Sequence, residues 1–368
     1  MVRDGIHQAT TEAEKEAVYR LRYDVYVEEM GRYRGAADHA NRRFSEPEDE
    51  TARIWYAAQD GEVVATARLS WGGDAPFSER LVEHYQLAPF LKELPPEALG
   101  VGERGMVVPR LRGSELFHDL QQASRTFTEA KRIQLIFGAC EPHLLSLYLG
   151  QGCRTFARKH INSPEAGYLI PIVTVVEDVD YLRRIGSPSA ETARDWGDEA
   201  RIPACVGRLI DSSGVVSQRL SGTDRFVGVV QESLDELASN RLSALDGLTE
   251  DELERVVGRS NIIRCSAGDQ VLKRGGVARN LFVVLEGNFE VRIEGELRRV
   301  LSAGDVFGEI AFLLERPRTA DVHAGTEGRI LSLSEGTLRE AIEHDSEIAA
   351  QLLLNISKML CYRVLQSN

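Results

Sequence analysis

The tetrapeptide Ser266-Ala267-Gly268-Asp269 recurs as Ser302-Ala303-Gly304-Asp305. Around both copies the chain is cut into short β-rich runs: Ile262-Ile263, Val271-Leu272, Leu281 to Leu285, Phe289 to Ile293 and Arg298 to Leu301. A Gly-Asp turn at equivalent corners of successive strands fits an antiparallel sheet folded over on itself. Glycine supplies the positive φ of the turn, and aspartate bonds its own backbone. The expectation from about Leu242 onwards is therefore a jelly-roll β-barrel. A long amphipathic helix, Asp345 to Gln366, follows it, with Ile348, Leu352, Ile356, Met359 and Leu360 as the apolar stripe.

Ahead of the barrel the pattern is different. Ala13, Ala17, Leu21 and Val25 recur at helical spacing within Glu12 to Met30, and Thr10-Thr11 ahead of Glu14 offers a capped start. Ile54 to Ala58 and Val63 to Trp71 read as strands joined by an Asp60-Gly61 hairpin turn. A strand from Gly102 to Val108, a helix from Glu115 to Ala130 and a strand from Ile133 to Phe137 follow. A helix from Pro142 to Leu149 and a strand from Ala166 to Val175 complete the set. Helices interleaved with strands predict one α/β domain with a mixed sheet over residues 1–188. Residues 189–240 form a linker, in which Phe226, Val229, Val230, Leu234 and Leu237 share one face of a docking helix. Residues 241–368 form the barrel domain, so the fold class is α/β plus β-barrel.

Composition narrows the function. A chain of 368 residues accommodates two or three domains. A net charge of −13 without a basic stripe argues against a nucleic-acid backbone as partner. The five cysteines are scattered and form no Cys-x-x-Cys, so neither a zinc site nor any other metal site nor a disulfide framework is expected, in keeping with a reducing cytoplasm. Met1 to Lys15 is polar and acidic, which predicts no signal peptide. No apolar run reaches the ~18–20 residues that span a bilayer. The oligomeric state is left open.

The sharpest motif is Phe307-Gly308-Glu309-Ile310-Ala311-Phe312-Leu313 followed by Arg318-Thr319-Ala320-Asp321-Val322. An arginine gives two parallel charge-assisted bonds to phosphate oxygens, a glutamate accepts a ribose hydroxyl, and a glycine lets the backbone come close. The segment resembles the phosphate-binding cassette of the cyclic nucleotide-binding domains of kinases, channels and bacterial regulators. The resemblance covers about Leu242 to Leu365. It implies cAMP or cGMP as regulatory ligand, held by Gly308, Glu309, Ile310, Ala311, Arg318, Thr319 and Ala320. Thr319 next to the arginine suits a purine edge, and the base stays open between adenine and guanine.

A second set of motifs runs through the N-terminal half. Tyr19-Arg20-Leu21-Arg22-Tyr23-Asp24-Val25-Tyr26-Val27-Glu28-Glu29-Met30-Gly31 comes first, then Val64-Ala65-Thr66-Ala67-Arg68-Leu69 and Glu103. Val108-Pro109-Arg110-Leu111-Arg112-Gly113 and Leu147-Tyr148 with Gly152 complete the order. The series resembles the N-acyl amino acid synthases and is similar to the acyl-homoserine lactone synthases, both of the GNAT fold of N-acyltransferases. It implies attack of an amine on an acyl thioester. Glu103 is then the candidate proton acceptor, directly or through water, and Tyr148 the candidate proton donor to the thiolate. Arg22 and Arg68 frame the acyl site. Val108, Arg110, Arg112 and Gly113 lie near the phosphates of the donor, acyl carrier protein or coenzyme A. Two positions depart from the pattern. Glu115 stands where the phosphate turn wants a small residue, which favours a carrier-protein donor. Met106 stands where the synthases carry an arginine, and Arg104 shares its strand face.

The leading expectation is a cytoplasmic N-acyltransferase controlled by a cyclic nucleotide, with a small-molecule amine such as an amino acid as acceptor. Two alternatives stand beside it: a non-enzymatic, nucleotide-responsive protein that binds an acyl ligand or a partner, and a cyclic-nucleotide-controlled, CoA-dependent lysine acetyltransferase.

Overall fold

The computed structural model of the chain describes residues 2–221, 226, 228–229, 232, 243–257, 260–278, 280–314 and 316–366. They fall into two units. The first comprises residues up to Ala139, Gln151–Phe156 and Pro171–Ile210; the second comprises Cys140–Gly150, Ala157–Ile170 and the chain from Asp211.

The sheet of the first unit begins with β1 (Gly5–Gln8), β2 (Arg53–Gln59), β3 (Glu62–Trp71) and β4 (Leu99–Val107), each antiparallel to the next. Asp60 and Gly61 turn β2 into β3 with φ of 53° and 77°, the left-handed pair a tight hairpin demands. β4 then runs parallel to β5 (Leu135–Cys140), and the sheet continues through β8 (Gly167–Val175) to β6 (Arg154–Thr155).

Helix α1 (Glu12–Arg22) covers one face. Its start is the expected one: Thr11 accepts from the Glu14 amide while the Glu14 carboxylate accepts from the Thr11 amide. Val18 and Tyr19 pack on Ile54 and Tyr56 of β2. Helix α2 (Leu116–Ala130) covers the other face, where Leu120 and Phe127 meet Trp55, Ala57 and Ala65.

The single helix expected from Glu12 to Met30 is a correction. The α-helix ends at Arg22 and gives way to a π-helix, Tyr23–Glu29. Here opposite sides are buried: Tyr23 and Val27 against Phe44, and Val25 against Leu21 and Met106. A segment covered on both sides carries no one-faced period to read. The strand expected from Ile133 starts at Leu135, and the one expected from Gly102 starts at Leu99. The helix expected from Pro142 is a 3-10 turn, Pro142–Leu144, leading into α3 (Leu145–Gly150).

The second unit holds two antiparallel sheets. One has the order β15 (Val306–Phe307), β12 (Leu281–Glu286), β17 (Gly328–Leu333), β10 (Asn261–Cys265), β9 (Val215–Val216). The other runs β11 (Gln270–Leu272), β16 (Asp321–Ala324), β13 (Phe289–Ile293), β14 (Glu296–Leu301). Stacked rings join them: Phe307 lies 5.0 Å from Phe282 and 5.7 Å from Phe289.

The repeated tetrapeptides adopt one geometry. Gly268 and Gly304 have φ of 89° and 91°. Asp269 and Asp305 each accept from the amide of the serine three residues earlier at 2.9 Å. β7 (Ile161–Ser163) pairs antiparallel with Gly167–Leu169 of β8 in this unit.

Helix α4 (Glu250–Val257), helix α5 (Glu309–Leu314), helix α6 (Glu335–His344) and the final helix α7 (Ser346–Gln366) flank the sheets. Ile348, Leu352, Ile356 and Met359 of α7 pack with Leu253, Leu281, Leu333 and Phe226. Of the expected docking face, Phe226 is fully buried here and Val229 packs beside it. Val230, Leu234 and Leu237 lie outside the described residues.

Against the expectation that no stretch reaches spanning length, Ser346–Leu365 is long and apolar enough to cross a membrane by length and composition. About a third of that stretch is buried in the structure.

Candidate functional site

In the barrel unit the cassette is built around a buried cation. Arg318 is 5% exposed. Its Nη1 donates to the Gly308 carbonyl at 2.7 Å and its Nη2 to the Asn280 carbonyl at 2.8 Å, while Nε has no hydrogen-bond partner among the described residues. Burial pushes the guanidinium down to about 10, against the pull of the Glu309 and Glu141 carboxylates. Only Gly308 permits this packing: its φ is 81°, and a Cβ there would lie 2.5 Å from Arg318 Nη1 and 2.8 Å from the Asn280 carbonyl oxygen.

Glu309 opens α5 directly after this glycine, and Ala311 behind it is buried. Ile310 and Thr319 are exposed, and Ala320 is half-buried. The structure thus brings Gly308, Glu309 and Arg318 together and leaves Thr319 facing outward.

Two members of this site were not foreseen. Asn280 supplies a carbonyl, which no side-chain motif announces, and its own amide is fixed on Ser332 at 2.9 Å. Arg363 of α7 donates to the Glu309 carboxylate at 2.9 Å and to the Val306 carbonyl. The one available signal was a lone arginine in the last turns of the terminal helix.

In the first unit, Arg22 and Arg68 are essentially without solvent exposure. Arg22 ends α1 and Arg68 lies on β3, and both donate to Asp49 of the 3-10 turn Pro47–Glu50, at 2.8 and 3.0 Å. Arg68 also meets Glu103 at 2.6 Å and Glu46 at 3.0 Å.

Glu103 faces Arg68 directly across the β3–β4 pair. One residue further on, Arg104 has a φ of 57°, and the register shifts between Thr66 and Arg68. This bulge brings two consecutive side chains into one cluster, because Arg104 then reaches Glu46. Rings of Tyr26, Tyr33 and Phe44 surround the Arg104 guanidinium at 4.8–5.6 Å.

Although burial works against its charge, Glu103 is held well below the usual carboxylate range by Arg68, Arg104 and Arg80. Tyr85 donates a further bond to it at 2.9 Å. These contacts make Glu103 a permanently charged group with weak proton affinity. Burial likewise opposes the charge of Arg68, and Glu103, Asp49 and Glu46 together raise it above its ordinary value. For Arg22 burial prevails over Asp49, and its pKa falls.

β4 pairs with β5 only over Leu99–Val101; among the described residues no pairing continues beyond them. The Val108 amide is taken by the Val64 carbonyl at 2.9 Å. Arg112 is held by Glu29 through two bonds of 2.6 and 2.8 Å and by the Val107 carbonyl. Arg110 is largely exposed and only 3.9 Å from Glu62. Gly113 has a φ of 84° with open space where a side chain would stand. Tyr148 sits half-buried on α3, which belongs to the second unit. Among the described residues no cluster of metal-ligating side chains is present.

Comparisons with known proteins agree on the barrel. A family model described as "Cyclic nucleotide-binding domain" matches residues 262–345. The chain is 27% identical over 129 residues to a cGMP-dependent protein kinase of Plasmodium berghei, covering 30% of this chain and 15% of that one. It spans less than a fifth of the length of the first curated relatives it matches.

A solved cyclic nucleotide-binding domain from Methylobacillus flagellatus is similar at 18% identity and a TM-score of 0.35, over 42% of this chain and 85% of that one. A CoA-dependent acyl-homoserine lactone synthase, BjaI, is similar at 21% identity and a TM-score of 0.39, over 51% of this chain and 92% of that one. With the cassette geometry in place, residues 262–345 constitute a cyclic nucleotide-binding domain.

Proposed function

We propose that the chain is an N-acyltransferase whose activity is set by a cyclic nucleotide. The observation that carries the regulatory half is Arg318: a buried guanidinium that, among the described residues, has an unpartnered Nε and no carboxylate hydrogen-bonded to it. A buried cation left so is costly, and a cyclic phosphate supplies the missing anion. Glu309 accepts the ribose 2′-OH, and Thr319, facing outward, meets the base.

The acyl half is supported by the ordered motifs of the N-terminal region and by the parting of β4 from β5 after Val101. Backbone N–H and C=O groups left without a neighbouring strand suit an extended thioester arm. The amine nitrogen attacks the thioester carbon, the C–N bond forms and the C–S bond breaks. The amine's proton leaves through water beside Glu103. Glu103, which stays ionised, does not take that proton up: its negative charge steadies the proton as it passes to water. Tyr148 is the candidate donor to the departing thiolate and is tested separately by Tyr148→Phe. Glu115 at the start of α2 disfavours the phosphates of coenzyme A, so an acyl carrier protein is the preferred donor.

A second reading has its own support: Arg68, Glu103 and Arg112 are already engaged in ion pairs. A region so self-satisfied suits binding of an acyl ligand or partner without turnover.

The deciding experiment follows thiol release from acyl-CoA and acyl-carrier-protein donors over a panel of amines, with and without cAMP or cGMP. Turnover that changes with nucleotide supports the enzyme. No release from either donor under any condition selects the binding reading.

A further inference from the structure

We infer that Arg363, on the final helix, determines how strongly the nucleotide site reads the ribose, because it holds the carboxylate that the 2′-OH needs. The inference rests on the reading of Glu309 as the ribose acceptor. Arg363 lies 54 residues beyond Glu309 in sequence. Its Nη1 donates to Glu309 Oε1 at 2.9 Å, and Nη2 donates to the carbonyl of Val306, two residues before Gly308.

Both side chains of the pair are largely shielded, at 16% and 13% exposure. A shielded pair is screened little by salt and outweighs the usual surface bridge. The rest of the last turn is loosely held: Tyr362, Val364 and Leu365 are all exposed. The helix is fixed further back, where buried Asn355 donates to the carbonyls of Ala244 and Asp246. Among the described residues Arg363 is thus a side chain by which the end of α7 grips the cassette.

A carboxylate that already neutralises a guanidinium is a poorer acceptor for a third group. A ribose hydroxyl arriving at Glu309 either shares a weakened carboxylate or displaces Arg363. In both cases the free energy gained from the 2′-OH is smaller than an unencumbered glutamate would give. The phosphate contact with Arg318 is made equally by ribose and deoxyribose ligands, so their affinity ratio isolates the hydroxyl from every other contact.

The test measures Kd for cAMP and 2′-deoxy-cAMP, and for cGMP and 2′-deoxy-cGMP, on the full chain by calorimetry, with wild type, Arg363→Ala, Arg363→Gln and Glu309→Gln. A bond to a charged acceptor discriminates about 10- to 100-fold against its absence. The expected result is a modest preference for the ribose ligand in wild type. The preference rises at least about fivefold in Arg363→Ala and Arg363→Gln and is abolished in Glu309→Gln. Two Arg363 substitutions guard against one that fails to fold. An unchanged ratio in folded Arg363 variants that still bind nucleotide overturns this inference alone. No binding of any of the four ligands by any variant, wild type included, overturns the nucleotide reading and this inference with it.

Discussion

Gly308 and Arg318 occupy the same space: the arginine's Nη1 bonds to the glycine's carbonyl at 2.7 Å and lies where a Cβ on that glycine would be, 2.5 Å away. A methyl group at Gly308 displaces the guanidinium or tears the turn, and the left-handed φ adds about 1–2 kcal/mol of strain. Gly308→Ala is therefore expected to lose nucleotide binding and to lower the barrel's melting temperature. Calorimetry and a thermal melt of the same sample check both halves; a variant that binds normally contradicts the packing described.

Arg318→Ala removes the buried charge-assisted donor proposed to meet the phosphate. Losing such a contact costs about 2–5 kcal/mol, enough to abolish measurable binding of cAMP and cGMP alike. Arg318→Lys is expected to recover little, since a point charge reproduces neither the fork nor the two bonds to Gly308 and Asn280. Thr319→Ala should weaken cGMP and leave cAMP nearly unchanged if the base is guanine. Titrations with both nucleotides separate these outcomes.

Glu103 is surrounded by Arg68, Arg80 and Tyr85. Glu103→Ala leaves the buried Arg68 short of its nearest counter-charge and is expected to cost about 3–5 kcal/mol of stability. Glu103→Gln should cost less, because an amide oxygen still accepts from Tyr85. Since the folded-state pKa is depressed, the stability this carboxylate contributes is complete above the ordinary carboxylate range. It is lost only as pH falls below about 4. Urea midpoints of the three proteins at pH 7 and pH 3 provide the measurement: the gap between wild type and Glu103→Gln should narrow in acid.

His160 is buried against Tyr168, with ring centroids 4.9 Å apart. Burial pushes its pKa down to about 4 despite the nearby Asp269 carboxylate. Between pH 6.5 and 4 the unfolded chain binds a proton that the folded one refuses. Stability therefore declines across that window by at most about 3 kcal/mol and is unaffected by this group above it. His160→Gln should flatten the decline. Parallel urea titrations at pH 7.0, 5.5 and 4.5 that run with identical slopes in both proteins would show that His160 is not desolvated.

The sequence by itself determined the barrel, its turns and its cassette, because each rests on local chemistry. Gly-Asp corners need left-handed φ and a nearby carboxylate, Asp60-Gly61 needs a tight hairpin, and Thr11 with Glu14 caps a helix within one turn. Gly308, Glu309 and Arg318 lie within one short stretch and carry their chemistry in their spacing. The tertiary structure alone decided the rest. The bulge at Arg104 came from cross-strand register, and strict alternation along β4 conceals it. The π-helix after Arg22 came from burial on two sides at once. The closing of Arg22, Arg68, Glu103 and Asp49 into one network joins four separate elements. Arg363 reaches Glu309 from far along the chain only because α7 packs on the barrel. Local pattern specifies backbone geometry, but which distant charge satisfies a given carboxylate is settled by what packing brings within three ångströms.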